Sequence, residues 1–242
     1  MLVEFKSRDV RGAPGDILAT VIERTDGEPM RRITNGRRHR PVGHYYSQKN
    51  GFSVPWESRN ELHGFYHAEV DANVVAYRAQ PHTLRMGLHG VVSSYTPDRA
   101  DRLSDGRTEI IEIKDAFKPE RDPAYERKLH QASAIYRHLG WRFRIVERTD
   151  LEAAPRFKTI EEVQSYRRTA VTAQDVFVVS RLFHDSPERT LGEVIALFGN
   201  PVLGMAKAYA MTVRRILALD LTVPLNDAMP VRLLRAEGAA HA

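Results

Sequence analysis

The chain contains no cysteine. That excludes disulfides, thiolate zinc sites, iron–sulfur clusters and a cysteine nucleophile together, leaving His, Asp, Glu or Asn to hold any metal. Long apolar runs are missing too. Nothing approaches the roughly 18 to 20 residues that a bilayer span requires. The opening MLVEFKSRDVRG carries charges where a signal peptide would place an apolar stretch, so a cytoplasmic protein is expected. Neither GxxxxGK(S/T) nor GxGxxG occurs, which argues against an ATP-driven or nicotinamide-dependent enzyme. Internal repeats and low-complexity linkers are also absent from the sequence.

What is present is an ordinary globular balance over 242 residues, 42% hydrophobic and 28% charged. That length suits one large domain, or a core domain with a small one attached. Lys and Arg number 36 against 31 acids, a formal +5 that leans toward a polyanionic partner. Residues 1–50 are polar and turn-rich, and 1–40 are read as a basic arm. Arg31, Arg32, Arg37, Arg38, His39 and Arg40 fall in a stretch, 31 to 40, without a single acid. A solvated loop and a phosphate-contacting arm are both open for this run.

Residues 41–153 carry the periodicity of a mixed α/β domain. A helix is predicted over 54–66, with Glu57 and Glu61 four apart on one face. Three β-branched and aromatic segments follow at 74–77, 83–86 and 91–96, expected as successive strands of one sheet. After the turn at Ser104-Asp105-Gly106, residues 108–114 form the next strand. Apolar positions at helical spacing over 125–139 predict a helix stopped by Gly140, and 141–146 return as a strand. Strand, helix, strand at this spacing implies a crossover unit. Residues 154–242 turn helical: helices are expected at 159–168, 172–183, 190–198 and 201–219. Strands at 221–225 and 229–234 would then close the outline of a winged helix or of a helical docking module.

Chemistry concentrates in Tyr95-Thr96-Pro97-Asp98 and, fourteen positions after Asp98, Glu112-Ile113-Lys114. Carboxylates on neighbouring strands can converge on one divalent ion, with the Ile113 carbonyl as a further oxygen, a donor set that suits Mg²⁺ or Mn²⁺. Side chains alternate along a strand, so Glu112 and Lys114 share a face. Lys114 is thereby placed to orient or deprotonate a water, provided the site lowers its pKa. Glu61 is the candidate third carboxylate, with Glu57 as its competitor. His63 and His67 have zinc-compatible spacing but no third ligand nearby and are read as surface or core histidines. Lys128 and Gln131, on the helix after the catalytic strand, are candidate phosphate contacts.

The run Ser47-Gln48-Lys49, Trp56-Glu57-Ser58-Arg59-Asn60-Glu61, Gln80-Pro81, Tyr95-Thr96-Pro97-Asp98, Glu112-Ile113-Lys114 and Gly140-Trp141-Arg142-Phe143 resembles the amino-terminal domain of TnsA. TnsA is the endonuclease subunit of heteromeric transposases. The resemblance spans roughly residues 40 to 150 and implies a restriction-endonuclease-like fold of the PD-(D/E)xK type, a mixed sheet flanked by helices that cuts DNA with Mg²⁺ or Mn²⁺. It places the helix glutamate on Glu61, the strand aspartate on Asp98 and the lysine on Lys114. The founding pattern has glutamine where this chain has Glu112. A DDE-type, TnsB-like transposase subunit is the implied partner beside DNA. The candidate catalytic set is thus Glu61, Asp98, Glu112 and Lys114, and the metal set Glu61, Asp98, Glu112 and Ile113. The candidate DNA set is Arg37, Arg38, Arg40, Lys128 and Gln131. A restriction or defence nuclease, and a non-catalytic DNA-binding platform, are the competing readings.

Overall fold

The structure, a computed structural model, describes residues 3–13, 15–31, 41–88 and 90–234. In chain order it runs β1 (Phe5–Arg11), β2 (Ile17–Arg24), β3 (Gly43–Ser47), β4 (Phe52–Trp56), α1 (Arg59–Val70), β5 (Val74–Ala79), β6 (Thr83–Leu88), β7 (Val91–Tyr95), β8 (Arg99–Leu103) and β9 (Thr108–Lys114). A 3₁₀ turn (Pro119–Arg121) leads to α2 (Pro123–His138), β10 (Arg142–Glu147) and α3 (Arg148–Leu151). Then come α4 (Arg156–Ser165), α5 (Ala173–Leu182), β11 (Glu188–Thr190), α6 (Leu191–Ala196), α7 (Pro201–Val213), β12 (Leu217–Leu219) and β13 (Pro230–Leu233). The chain divides into two units: Met1–Tyr46, Ser53–Gly64 and Ala76–Leu151 in the first, Ser47–Phe52, Phe65–Val75 and Glu152–Ala242 in the second.

The first unit is built on a mixed sheet of order β10-β9-β8-β5 and an antiparallel sheet of order β1-β2-β6-β7. β9 is the strand that matters for the site. It pairs antiparallel with β8 through the hairpin turn at Gly106, whose φ of +82° explains the glycine, and parallel with β10 through the α2 crossover. With neighbours on both edges and cover on both faces, its Ile110, Ile111 and Ile113 are buried. Helix α2 starts because Asp122 accepts from the Tyr125 amide at 2.9 Å and Pro123 sits in the first turn; Gly140, at φ +75°, follows its end. Its Leu129, Ala132, Ile135 and Tyr136 pack with Val21, Leu84, Met86, Tyr95 and Ile110, so α2 and strands of both sheets share one core. His82 is buried there, 2.7 Å from the Tyr136 hydroxyl, and burial pushes its pKa down to about 4.

The second unit packs α4 to α7 around Ile160, Val163, Val179, Leu191, Val194, Met211 and Val231. Capping boxes at Thr172/Asp175 and Thr190/Glu193 fix the starts of α5 and α6. Helix α7 passes so close to Ile195 that a Cβ on Gly204 would lie within 2.2 Å of its carbonyl oxygen. A short sheet of order β11-β13-β12 completes the unit.

Several expectations need correction. The stretch read as a basic arm contains β1 and β2, an antiparallel pair whose Val10, Ala19 and Val21 enter the core. The helix expected over 54–66 is a strand followed by a helix, because Val54-Pro55-Trp56 extends and Ser58 caps the helix that begins at Arg59. Strands at 74–77, 83–86 and 91–96 form as predicted but in two sheets, β5 in the mixed one. The long final helix stops at Val213, where Arg214 caps it and Arg215 turns with φ +58° into β12. Residues 221–225 form no strand. Thr222 folds back on Asp220 through its amide, 2.9 Å, and its hydroxyl, 2.6 Å, and β12 takes the place beside β13. What stands is a mixed α/β architecture.

Candidate active site

Every site residue within the described range that the motifs single out lies in the first unit. Asp98 ends the loop between β7 and β8, opposite the far end of β9, and its Oδ2 accepts from the Ile113 amide at 2.6 Å. That bond fixes the carboxyl against the strand carrying Glu112 and Lys114. Glu112, 4% exposed, takes three donors: the Tyr95 hydroxyl on Oε2 at 2.6 Å, and the Tyr125 hydroxyl and Lys114 Nζ on Oε1, each at 2.6 Å. Lys114 also donates to the Tyr125 oxygen at 2.9 Å and lies 4.5 Å from that ring's centroid. Alternation along β9 thus brings Glu112 and Lys114 to one face, and α2 supplies the phenol that closes the triangle.

The electrostatics divide the two carboxyls. Burial, the Glu112 charge and the more distant Glu61 push Asp98 up to about 8, against the opposing Ile113 amide and Lys114. Glu112 stands among three donors, and Asp98, raised to about 8, retains its proton at neutral pH. Burial alone would lower Lys114, but the Glu112 carboxylate and the Tyr125 hydroxyl outweigh it and raise the ammonium above its ordinary value. In this arrangement Lys114 is a cation and a donor, not the depressed base the sequence allowed for. Burial and the Glu112 charge push the Tyr125 phenol up to about 12 and hold Tyr95 well above its usual value.

Glu61, the expected third carboxylate, is engaged at the start of α1. Its Oε2 accepts from the Glu57 amide at 2.9 Å and its Oε1 from the Ser58 hydroxyl at 3.1 Å, while Ser58 Oγ accepts from the Glu61 amide at 3.2 Å. This reciprocal cap closes the start of α1, a structural duty. Burial raises its pKa, and its charge contributes to the shift of Asp98. Glu57, its competitor, accepts from Gln80 Nε2 at 3.2 Å and lies 4.0 Å from Arg31. Gln80 itself stands at φ +42°, and its amide donates to the Asp98 carbonyl at 2.9 Å.

Among the described residues no three Asp, Glu or His side chains close into a ready-made metal cage. The fit of a divalent cation therefore rests on Asp98 and Glu112, a carboxyl pair in which burial, and after it the Glu112 charge, keeps Asp98 protonated. The oxygens of such a pair are hard donors suited to Mg²⁺ or Mn²⁺. Sequence reasoning gave Tyr95 and Tyr125 no role at the site; their hydroxyls on Glu112 show only in the structure. Lys128 and Gln131 lie half-exposed on α2. Arg37, Arg38 and Arg40 lie outside the described residues. His67 stacks on Phe157 with ring centroids 6.2 Å apart, and neither it nor His63 belongs to a metal-holding group among the described residues. No protein-family profile matches this chain, and no curated protein matches it.

Proposed function

We propose that this chain is a metal-dependent DNA endonuclease resembling TnsA, hydrolysing phosphodiester bonds at a site made of Asp98, Glu112 and Lys114. The observation that supports the reading is the junction of a buried carboxyl pair with a lysine bound to one of its members, across neighbouring ends of β9 and the β7–β8 loop. Asp98, Glu112 and the Ile113 carbonyl would hold Mg²⁺ or Mn²⁺, and a cation bound there supplies Lewis-acid polarisation of a phosphoryl oxygen and a more acidic water. Lys114, kept charged, donates toward a water or a phosphoryl oxygen and stabilises developing negative charge. Tyr125 fixes the direction of that ammonium. Glu61 acts from the cap of α1 through its charge on the pair. The crossover from β9 through α2 to β10 supports a restriction-endonuclease-like sheet, and α4 to α7 with the β11-β13-β12 sheet supports a winged-helix-like or docking role for the second unit. A transposase subunit of the DDE type is the partner this reading proposes, and the cytoplasm its compartment.

The test is cleavage of supercoiled and linear DNA in Mg²⁺ or Mn²⁺ against EDTA. Asp98→Ala, Glu112→Ala and Lys114→Ala should each abolish nicking in protein that remains folded by circular dichroism, since members of one site fail as a unit. Near-wild-type cutting by folded Asp98→Ala protein would overturn the reading. The triple saturation of Glu112 favours one alternative, a nuclease-like core serving only to bind DNA. Cation-independent binding with no cleavage by the wild type would select it.

A further inference from the structure

Beside Lys114, in the same unit, a cavity of about 390 Å³ opens between the end of β9 and the start of α2. Lys114, Asp115, Lys118, Arg121, Asp122 and Tyr125 supply its polar lining. Four of these are committed. Lys114 is held by Glu112 and Tyr125, Asp115 pairs with Arg148 at 3.3 Å, Asp122 caps α2, and the Tyr125 hydroxyl faces Glu112. Lys118 and Arg121 are different: both are exposed, and neither side chain has an ion pair or hydrogen bond among the described residues. The 3₁₀ turn over Pro119–Arg121, closed by the Arg121 amide on the Lys118 carbonyl at 3.0 Å, explains their pairing. Both side chains line the same cavity, so the two cations stand together on its wall.

We infer that Lys118 and Arg121 form a phosphate-binding subsite that seats the phosphodiester next to the scissile one. The inference rests on the endonuclease reading and gives it a substrate contact that the acidic site itself lacks. Lys114 is occupied by Glu112 and offers a polyanion little free charge, so local attraction has to come from neighbouring unpaired cations. Lys118 and Arg121 meet that need at the wall of the cavity that Lys114 also lines. The guanidinium offers a planar fork and the ammonium a point charge, both suited to phosphate oxygens.

The test measures affinity of the full chain for fluorescein-labelled duplex DNA in EDTA, where binding is read without cleavage, over a range of salt. If each cation meets one phosphate, Lys118→Ala/Arg121→Ala should flatten the slope of log K against log salt by about 1.8, at about 0.9 per contact. Removing the same two charges at the exposed Arg127 and Arg137 of α2 should leave the slope unchanged. An unchanged slope in the Lys118/Arg121 variant, from a wild type that binds and cleaves DNA, overturns the subsite and leaves the nuclease reading intact. An equal loss in the Arg127/Arg137 control overturns it as diffuse charge. A wild type that neither binds nor cleaves DNA overturns both.

Discussion

At the scale of single residues, the site is defined by who holds a proton. Asp98, ordinarily ionised above pH 3.8, titrates near 8 in the folded chain because burial and the Glu112 charge oppose its ionisation. The folded state therefore keeps a proton that the unfolded chain releases, and stability from this residue is full below about pH 4 and declines as pH rises toward about 8. The loss is on the order of a few kcal/mol once the solvent Asp98 still touches is discounted. His82 has the opposite sign. Its folded pKa of about 4 lies below the ordinary 6.5, so its contribution is full above 6.5 and is lost as pH falls toward 4. Tyr125 supplies a second residue-level test. Tyr125→Phe keeps the ring under Lys114 but deletes the hydroxyl's bonds to Glu112 and from Lys114, and losing these should slow cleavage by about 3- to 10-fold or more. Cleavage kinetics at saturating DNA would check it; an unchanged kcat contradicts the positioning role.

At the scale of elements, the site depends on how α1 meets β9. A Cβ on Gly64 would come within 2.7 Å of Ile113 Cδ1 and 3.0 Å of the Arg99 guanidinium, so the helix carrying Glu61 lies hard against the strand carrying Glu112. Arg99 holds this junction: it donates to the Gly64 carbonyl and pairs with Asp101 at 2.7 Å, both residues buried. Asp101→Ala strands that guanidinium without its carboxylate and should cost about 3 to 5 kcal/mol in urea unfolding, whereas loss of under about 1 kcal/mol would show the pair to be dispensable. The same elements explain what the sequence could reveal. β9, α2 and β10 were legible because their periods and their Gly106 and Gly140 stops agree. β8 was not, because Arg99 and Asp101 look like surface charges and are buried only as a pair. β1 was not, because Val10 is its single buried residue and leaves no alternation to read. Glu61 was not legible as the partner of Ser58 in a helix cap.

At the scale of the molecule, the first unit combines a conventional apolar core with one place where the usual rules of burial are broken. Apolar cover surrounds β9, yet it carries Glu112 at its centre, against Asp98 and within reach of three donors. Replacing Asp98 by Asn should therefore relieve repulsion and stabilise the cation-free protein, the expected trade between stability and function at a site built for charge. The most direct measurement is thermal melting at pH 8 of wild type and Asp98→Asn, in EDTA and in Mn²⁺. In EDTA the variant should melt higher than the wild type. Mn²⁺ should raise the wild-type Tm in a concentration-dependent way, because only the native state offers the paired carboxyls, and should leave the variant nearly unmoved. An Asp98→Asn protein that melts below the wild type in EDTA, together with a wild type indifferent to Mn²⁺, would contradict the account.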